Sequence, residues 1–332
     1  MRVIILYNLE QEVRCGEVAD SLAVNAVEGA ATAVERACIE CGWEATRCCA
    51  PEDPVAFLAL LSSAQADVVF NLVESLKGDA RLETGAIWLY ELAGLPYTGS
   101  PPRATMLALE KPVTRALLSV HGVPIPAGQL FELGDEPLDG LRPPWIVKPA
   151  REDASHGITL ESVVCDERSL RERIHYIYER YQQAALVEEF IAGREFNVSI
   201  LGEGADVVAL SLAEIDYTNF PPGPRLITYN AKWMDDSPEC TGSVPIAATN
   251  LSDELRTRIT EVALAAYRII GLRDYGRVDL RLHPEAGPLV LDVNANPDLS
   301  PDAGLARAAA RSGIDYASLI KRIVTRALAR AR

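Results

Sequence analysis

No run of apolar residues in this sequence approaches the ~20 needed to cross a bilayer. The opening Met1-Arg2-Val3-Ile4-Ile5-Leu6-Tyr7 is too short for the apolar core of a secretion signal and suits a first β-strand instead. Positive charge is scarce: 32 Lys and Arg stand against 47 Asp and Glu, a net charge of −15. That balance argues against non-specific binding to nucleic acid or to an acidic membrane, while a local basic pocket for a small anion stays compatible with it. The seven cysteines, an odd number, lack the spacing of a disulfide framework. Reduced thiols and a cytoplasmic location are therefore expected. Cys38 and Cys41 with Cys48 and Cys49 come nearest to a zinc set. Cys38 and Cys41, however, end an Ala-rich helical stretch, and Cys48 and Cys49 point to opposite faces if they share a strand. Small buried apolar residues are the better reading. There is neither an internal repeat nor a low-complexity segment.

What is there is an ordinary globular composition, 48% hydrophobic and 24% charged. The 332 residues suit two or three domains of ~100–150 residues each. The first stretch alternates strand and helix signals, as a parallel α/β unit does: strands at 3–6 and 68–70, helices at 27–38 and 84–93, the last stopped by Gly94 with Pro96 beyond it. Turn residues at 97–102 and Gly193 divide the chain into expected domains 1–102, 103–192 and 193–332. A helix over 106–120 contains Pro112, which predicts a break at Lys111. A strand at 145–148 runs into a Gly-terminated loop at 149–157. Asp166 and Ser252 are placed to cap helices reaching about 182 and 270. Further strands are expected at 186–190, 195–201, 207–212, 275–282 and 289–294, and closing helices at 302–312 and 316–331.

The strongest chemical signal is the hairpin formed by the last two strands. In the first, Val278, Leu280 and Leu282 share one face, and Arg277, Asp279 and Arg281 the other. In the second, Leu289, Leu291 and Val293 form the apolar face, opposite Val290, Asp292 and Asn294. Pairing Leu282 with Leu289 sets Leu280 against Leu291, Val278 against Val293, Asp279 against Asp292 and Arg277 against Asn294. Two carboxylates then face each other at ~4.5–5.5 Å between Cβ atoms, which is unfavourable unless a cation lies between them. Asp279, Asp292 and the Asn294 amide are hard oxygen donors of the kind Mg²⁺ takes, and Arg277 is placed to hold an oxyanion. A solvated polar face is the alternative reading. Lys148 ends a strand at a loop suited to meeting phosphate, with a strand-end lysine in solvent as the alternative.

These pieces occur in one order. Gly94-Leu95-Pro96-Tyr97-Thr98-Gly99-Ser100, Val147-Lys148-Pro149-Ala150-Arg151-Glu152, Val187-Glu188-Glu189-Phe190-Ile191-Ala192-Gly193-Arg194-Glu195, Gly276-Arg277-Val278-Asp279-Leu280 and Leu291-Asp292-Val293-Asn294-Ala295-Asn296-Pro297 follow one another. Together they resemble the D-alanine–D-alanine ligase family of the ATP-grasp superfamily over most of residues 68–331. The resemblance implies an α/β fold in which an N-terminal parallel α/β domain precedes two α+β domains that clasp ATP. It implies that Lys111 and Lys148 contact ATP phosphates and adenine-side groups, that Glu188, Phe190 and Ile191 line the adenine pocket, and that Glu195 holds the ribose. Lys232 would reach the γ-phosphate from a closing loop at 227–240. Asp279, Asp292 and Asn294 would ligate magnesium, two ions in all with Mn²⁺ as a substitute, and Arg277 would stabilise developing charge. The implied reaction joins a carboxylate to an amine through an acyl phosphate, releasing ADP and phosphate. A homodimer acting on small amino-acid or peptide-like substrates is implied as well.

The substrate half departs from the family pattern. After the first strand the chain reads Tyr7-Asn8-Leu9-Glu10-Gln11-Glu12-Val13-Arg14, without a clear counterpart of the glutamate that grips the first D-alanine; Glu12, Glu17 or Asp20 would have to replace it. The family's His-Gly after the Phe70-Asn71 strand becomes Val73-Glu74. The lid tyrosine becomes Trp233, and the serine that holds the second carboxylate falls near Ala303, in Ser300-Pro301-Asp302-Ala303. Glu74, Arg81, Glu83, Trp233, Asn296 and Ser300 are the expected substrate-side residues. The expectation is an amino-acid or amino-acid-like substrate other than a pair of D-alanines. A true D-alanine–D-alanine ligase and a catalytically silent nucleotide-binding regulator are the alternatives.

Overall fold

The computed structural model describes residues 1–9, 15–17, 20, 27–132 and 134–330. The chain begins with a three-stranded parallel sheet. β1 (Arg2–Tyr7) lies between β2 (Glu44–Cys49) and β3 (Val68–Leu72). β3 is buried along its whole length, as a strand covered on both faces must be. Its crossovers are α1 (Val27–Glu40) and α2 (Pro54–Ser63), and it is followed by α3 (Glu83–Ala93). Gly94 ends α3 at φ 67°, the left-handed cap that only glycine adopts without strain.

α4 (Pro102–Leu109) and α5 (Lys111–Val120) are one helical stretch broken at Glu110. Pro112 accounts for the break: it has no N–H to donate to the Ala108 carbonyl and its ring would clash there, so a new helix starts at Lys111 with Pro112 in its first turn. The Lys111 amide instead donates to the Ala150 carbonyl at 3.1 Å. This pins the Lys111 side chain beside the loop that leaves the second sheet. That sheet has the order β4-β7-β5-β6, from β4 (Gly128–Phe131), β5 (Trp145–Pro149), β6 (Val163–Val164) and β7 (Ala185–Glu189). It is backed by α6 (Glu167–Tyr181), whose N-cap Asp166 accepts from the Ser169 amide.

The third sheet is antiparallel. Its strands are β8 (Glu195–Leu201), β9 (Val208–Ala209), β10 (Ala213–Asp216), β11 (Val244–Ala247), β12 (Tyr275–His283) and β13 (Gly287–Asn294). They run in the order β11-β10-β8-β12-β13, with β9 attached to β8. The expected strand at 207–212 is thus reduced to two residues. Two short helices, α7 (Tyr229–Trp233) and α8 (Pro238–Gly242), occupy the expected closing loop. α9 (Asp253–Ile270) starts at N-cap Ser252 and packs Ile259, Ala263, Ala266, Tyr267 and Ile270 against Val278, Leu280, Val290 and Val293 of the hairpin. Burying each large aliphatic side chain contributes about 1.5–3 kcal/mol, so this apolar layer fixes where the polar face of the hairpin points.

The chain closes with α10 (Gly304–Arg311) and α11 (Tyr316–Arg330). α11 returns to the first sheet, where Leu319, Ile320, Ile323 and Val324 join Val3, Ile5, Val34 and Phe70 in one core. The sheets are also tied by Asp274, which accepts from the Gly99 amide at 2.9 Å and from Arg330.

One register differs from the sequence expectation. Arg277 pairs with Asn294, Val278 with Val293 and Asp279 with Asp292, but Leu280 then pairs with Val290 and Leu282 with Pro288. Leu291 is an unpaired bulge residue, and a bulge reverses the side-chain alternation beyond it. Val290 therefore belongs to the core and Leu291 borders a cleft, the opposite of the assignment that strict alternation gives.

Candidate active site

A cleft of about 640 Å³ separates the second and third sheets. Lys111 enters from α5, Ile146 and Lys148 from β5, and Glu188 from β7, with Phe190 and Ile191 just beyond. The facing sheet supplies Glu195 and Asn197, then Arg277, Asp279 and Arg281, then Leu291, Asp292 and Asn294. A smaller cavity of about 230 Å³ lies toward the first sheet and is bordered by Glu74, Arg81, Glu83, Trp233 and Asn296. Asp153, His156, Lys232, Arg277, Asn294 and Asp298 border both spaces. Lys232 and Arg277 thus stand at a junction. Ser300 borders neither space; its amide donates to Asp298 Oδ1 at 2.8 Å, and the same segment brings Asp302, Ala303 and Gly304 to the larger cleft instead.

Glu188, Glu195, Lys111 and Asp279 each face an opposite charge in the cleft. Glu188, 1% exposed, is held by both Arg115 and Lys148. Glu195 accepts from Tyr217 Oη at 2.7 Å and from the Arg281 guanidinium at 2.6 and 3.0 Å. Lys111 Nζ approaches Asp292 at 3.1 Å and Asp153 at 3.8 Å. Burial works against both partners. Yet Lys111, Lys148 and Arg277 hold the Asp292 carboxyl below its usual range, and Asp292 and Asp153 hold the Lys111 ammonium above its own. Asp279 accepts from Arg277 at 2.7 and 2.8 Å, from Asn197 Nδ2 at 2.7 Å and from Asn294 Nδ2 at 3.1 Å.

Asp279 and Asp292 lie opposite each other on paired strands, and both border the cleft with Asn294, whose amide nitrogen faces Asp279. Hard oxygen ligands beside space for phosphate fit Mg²⁺, which keeps waters and takes few protein ligands.

The smaller cavity is acidic. Glu74 borders it with a carboxylate that accepts no hydrogen bond from a described residue. Burial, reinforced by Asp298, pushes its pKa up to about 7. Burial raises Glu83 well above its usual range, helped by Asp153 and Glu74, although Asn296 Nδ2 donates to it at 3.3 Å. Arg81 is committed to Asp79 at 2.6 Å. Burial and the Arg277 charge hold the Lys232 ammonium below its usual range.

The roof comes from the loop after β5 and from α7. Ala154 and Ser155 are both left-handed, at φ 54° and 62°. Trp233 Nε1 donates to the Ala154 carbonyl at 2.9 Å, and the Tyr229 amide to the Ile158 carbonyl at 2.8 Å. Of the inserted carboxylates, Glu12 lies outside the described residues. Glu17 accepts from Tyr176 Oη at 3.1 Å and Asp20 from Tyr181 Oη at 3.2 Å, and neither borders these two spaces.

Arg115, Asp298, Arg307 and Arg311 escaped the sequence reading. Arg307 and Arg311 had a legible signal: with Gly304 they form the face of an alanine-rich helix that its apolar residues leave free. Arg115 had none, because its partner Glu188 lies 73 residues away.

Comparison with known proteins agrees with this geometry. Residues 132–325 match the family model described as D-ala D-ala ligase C-terminus. The D-alanine–D-alanine ligase of Bordetella petrii is 33% identical over 282 residues, covering 81% of this chain and 78% of that protein. The uncharacterized protein y4sG of Sinorhizobium fredii is 34% identical over 274 residues, covering 82% and 76%. The D-alanine–D-alanine ligase of Bacillus anthracis, solved in complex with ATP, superposes with a TM-score of 0.76 at 20% identity over 100% of this chain and 98% of that one. The fold and cleft are those of the ATP-grasp class of ligases. Within that class, the chain belongs to the D-alanine–D-alanine ligase family.

Proposed function

We propose that the protein uses ATP to join the carboxylate of an amino acid or amino-acid-like molecule to an amine through an acyl phosphate, and that a pair of D-alanines is not its preferred substrate. The observation that carries this reading is the junction at Lys232 and Arg277, where a cleft of nucleotide size opens onto a separate acidic cavity. In this reading the larger cleft holds ATP, its apolar end formed by Ile146, Phe190, Ile191 and Leu291 and its charged end by Lys111, Lys148, Asp279 and Asp292. The acidic cavity holds the carboxylate substrate, with Glu74 and Glu83 facing its ammonium.

The chemistry follows from the charges. An oxygen of the substrate carboxylate attacks the γ-phosphorus, and ADP departs. The cations Lys232 and Lys111 offset the charge spread over the transferred oxygens. The free amine nitrogen then attacks the acyl carbon, Arg277 offsets the charge on the resulting oxyanion, and phosphate departs, taking up the proton that the nitrogen loses. Magnesium, held by Asp279, Asp292 and Asn294, would supply further neutralisation of phosphate charge. The packed roof of Ala154, Ser155, Tyr229 and Trp233 excludes water, which would otherwise hydrolyse the acyl phosphate.

The test is ATP cleavage by the purified protein against D- and L-amino acids. Release of ADP and phosphate that requires an added carboxylate, with ¹⁸O passing from that carboxylate to phosphate, is the expected result. AMP and pyrophosphate would overturn the mechanism. Efficient formation of D-alanyl-D-alanine would overturn the substrate assignment.

A further inference from the structure

The far wall of the larger cleft is one face of α10. Gly304, Arg307 and Arg311 border the cleft, while Leu305, Ala306, Ala308 and Ala309 turn into the core. A Cβ placed on Gly304 would meet nothing within 4 Å, so this face opens onto space. Arg307 Nε is buried and has no hydrogen-bond partner among the described residues, and neither arginine has an ion-pair partner there. Asp302 borders the same cleft but pairs with neither. Four other cations of the cleft behave differently: Lys111, Lys148, Arg277 and Arg281 each hold a carboxylate within 4 Å. A buried guanidinium N–H left without an acceptor is unfavourable, and partial burial with the neighbouring Arg307 charge holds the guanidinium of Arg311, an exposed residue at the helix end, below its usual range. An anion between the two would relieve both terms.

Ala213 and Ile215 of β10 and Val244 and Pro245 of β11 also border this cleft and give it apolar walls. The two arginines are one helical turn apart, about 5–6 Å along the axis, a separation that a short dicarboxylic chain spans. The cleft continues from this wall to Arg277 at the junction, where an amine has to arrive.

We propose that Arg307 and Arg311 form the recognition wall for the amine substrate, and that this substrate is an amino acid with a second acidic group. Arg307 takes the α-carboxylate and Arg311 the side-chain acid, leaving the amino group directed toward Arg277. The inference rests on the ligase reading and adds the class of the amine. An arginine fork replaces the serine that the sequence lacks near Ala303, and a bidentate guanidinium selects carboxylate strongly.

The experiment loads the full-length protein with Mg²⁺ and a non-hydrolysable ATP analogue, then titrates glutamate, aspartate, glutamine and alanine by calorimetry. Glutamate or aspartate binds at least ten-fold more tightly than glutamine or alanine. Arg307→Gln and Arg311→Gln each weaken that binding about ten-fold or more, with affinity for the ATP analogue unchanged. Should Arg307→Gln fail to fold, Arg307→Lys and protection of both arginines from phenylglyoxal by glutamate, mapped by mass spectrometry, make the same test. Equal binding of acid and amide, or an unaffected Arg311→Gln, overturns the inference. ADP release supported by neutral amino acids but not by acidic ones overturns it too, and leaves the ligase reading standing. Arg307-dependent binding of glutamate with no ATP cleavage by any pair of substrates overturns the ligase reading instead.

Discussion

Lys111 Nζ lies 3.1 and 3.2 Å from the two carboxylate oxygens of Asp292, so a side chain from α5 occupies the position that a cation between the strands would otherwise share. In the proposed reading, lysine and metal would compete for one carboxylate until nucleotide phosphates drew the lysine away. Lys111→Met should therefore bind Mn²⁺ in the absence of nucleotide several-fold more tightly than the wild type, read by electron paramagnetic resonance. It should also lose at least ten-fold in ATP affinity, since a charge-assisted contact of about 1.5–3 kcal/mol is removed. Unchanged Mn²⁺ affinity would separate Lys111 from the metal question.

Asp292→Asn keeps the shape of the site and removes one of its two facing charges. Turnover should fall by at least about 10²-fold, on the scale of losing one strongly placed electrostatic group. The thermal transition should stay cooperative. Wild-type turnover by this variant would remove Asp292 from the phosphate-transfer machinery.

Glu74 gives a pH-dependent signature. Its pKa of about 7 in the folded protein exceeds that of an unfolded glutamate, so the folded state binds the extra proton between roughly pH 4.5 and 7. Stability is then lost as pH rises through that window, because the carboxylate must ionise in a buried site and beside Asp298 and Asp153, with Lys232 and His156 as the opposing charges. Glu74→Gln escapes this penalty. It should be about 1–3 kcal/mol more stable than the wild type at pH 8 and equal to it near pH 4, measured by urea denaturation. An equal difference at both pH values would place the effect in packing.

Glu195 and Arg281 form an ion pair with side chains 9% and 3% exposed. Glu195→Gln leaves the Arg281 guanidinium uncompensated over the Phe190 ring, 5.0 Å from its centroid. The loss should be about 3–5 kcal/mol. The double variant Glu195→Gln with Arg281→Met should recover much of it, because both charges then leave the interior together. Additive losses in chemical denaturation would show that the two residues act separately.

The parts of the fold legible in the sequence were those set by local chemistry. Asp166 and Ser252 cap their helices, Gly94 ends α3, and Pro112 breaks the helical stretch, at Glu110 rather than at the expected Lys111. Alternation placed Asp279 against Asp292 because both strands are regular at that end. It failed one residue later, since an unpaired bulge residue leaves no mark in a run as apolar as 288–291. The short strands β10 and β11 were missed because four residues carry little periodic signal. The partners of Glu188 and Asp292 were illegible for a different reason: each pairing joins sheets or helices that only the tertiary fold brings together.

The unpaired Leu291 acts as slack in the hairpin. On the site side of it, Asp279 and Asp292 are locked in register by the core residues Val278 and Val293. On the turn side, pairing runs one residue out of step through to His283 and Gly287. A residue gained or lost in the turn can be taken up where the strands are already out of step, without sliding the carboxylates past each other. The turn is thereby free to change length over evolutionary time while the spacing of the two acids stays constant. The same offset lets consecutive residues, one greasy and one charged, face a single cleft, so one short stretch of chain can meet both the flat apolar part and the ionic part of the same bound molecule.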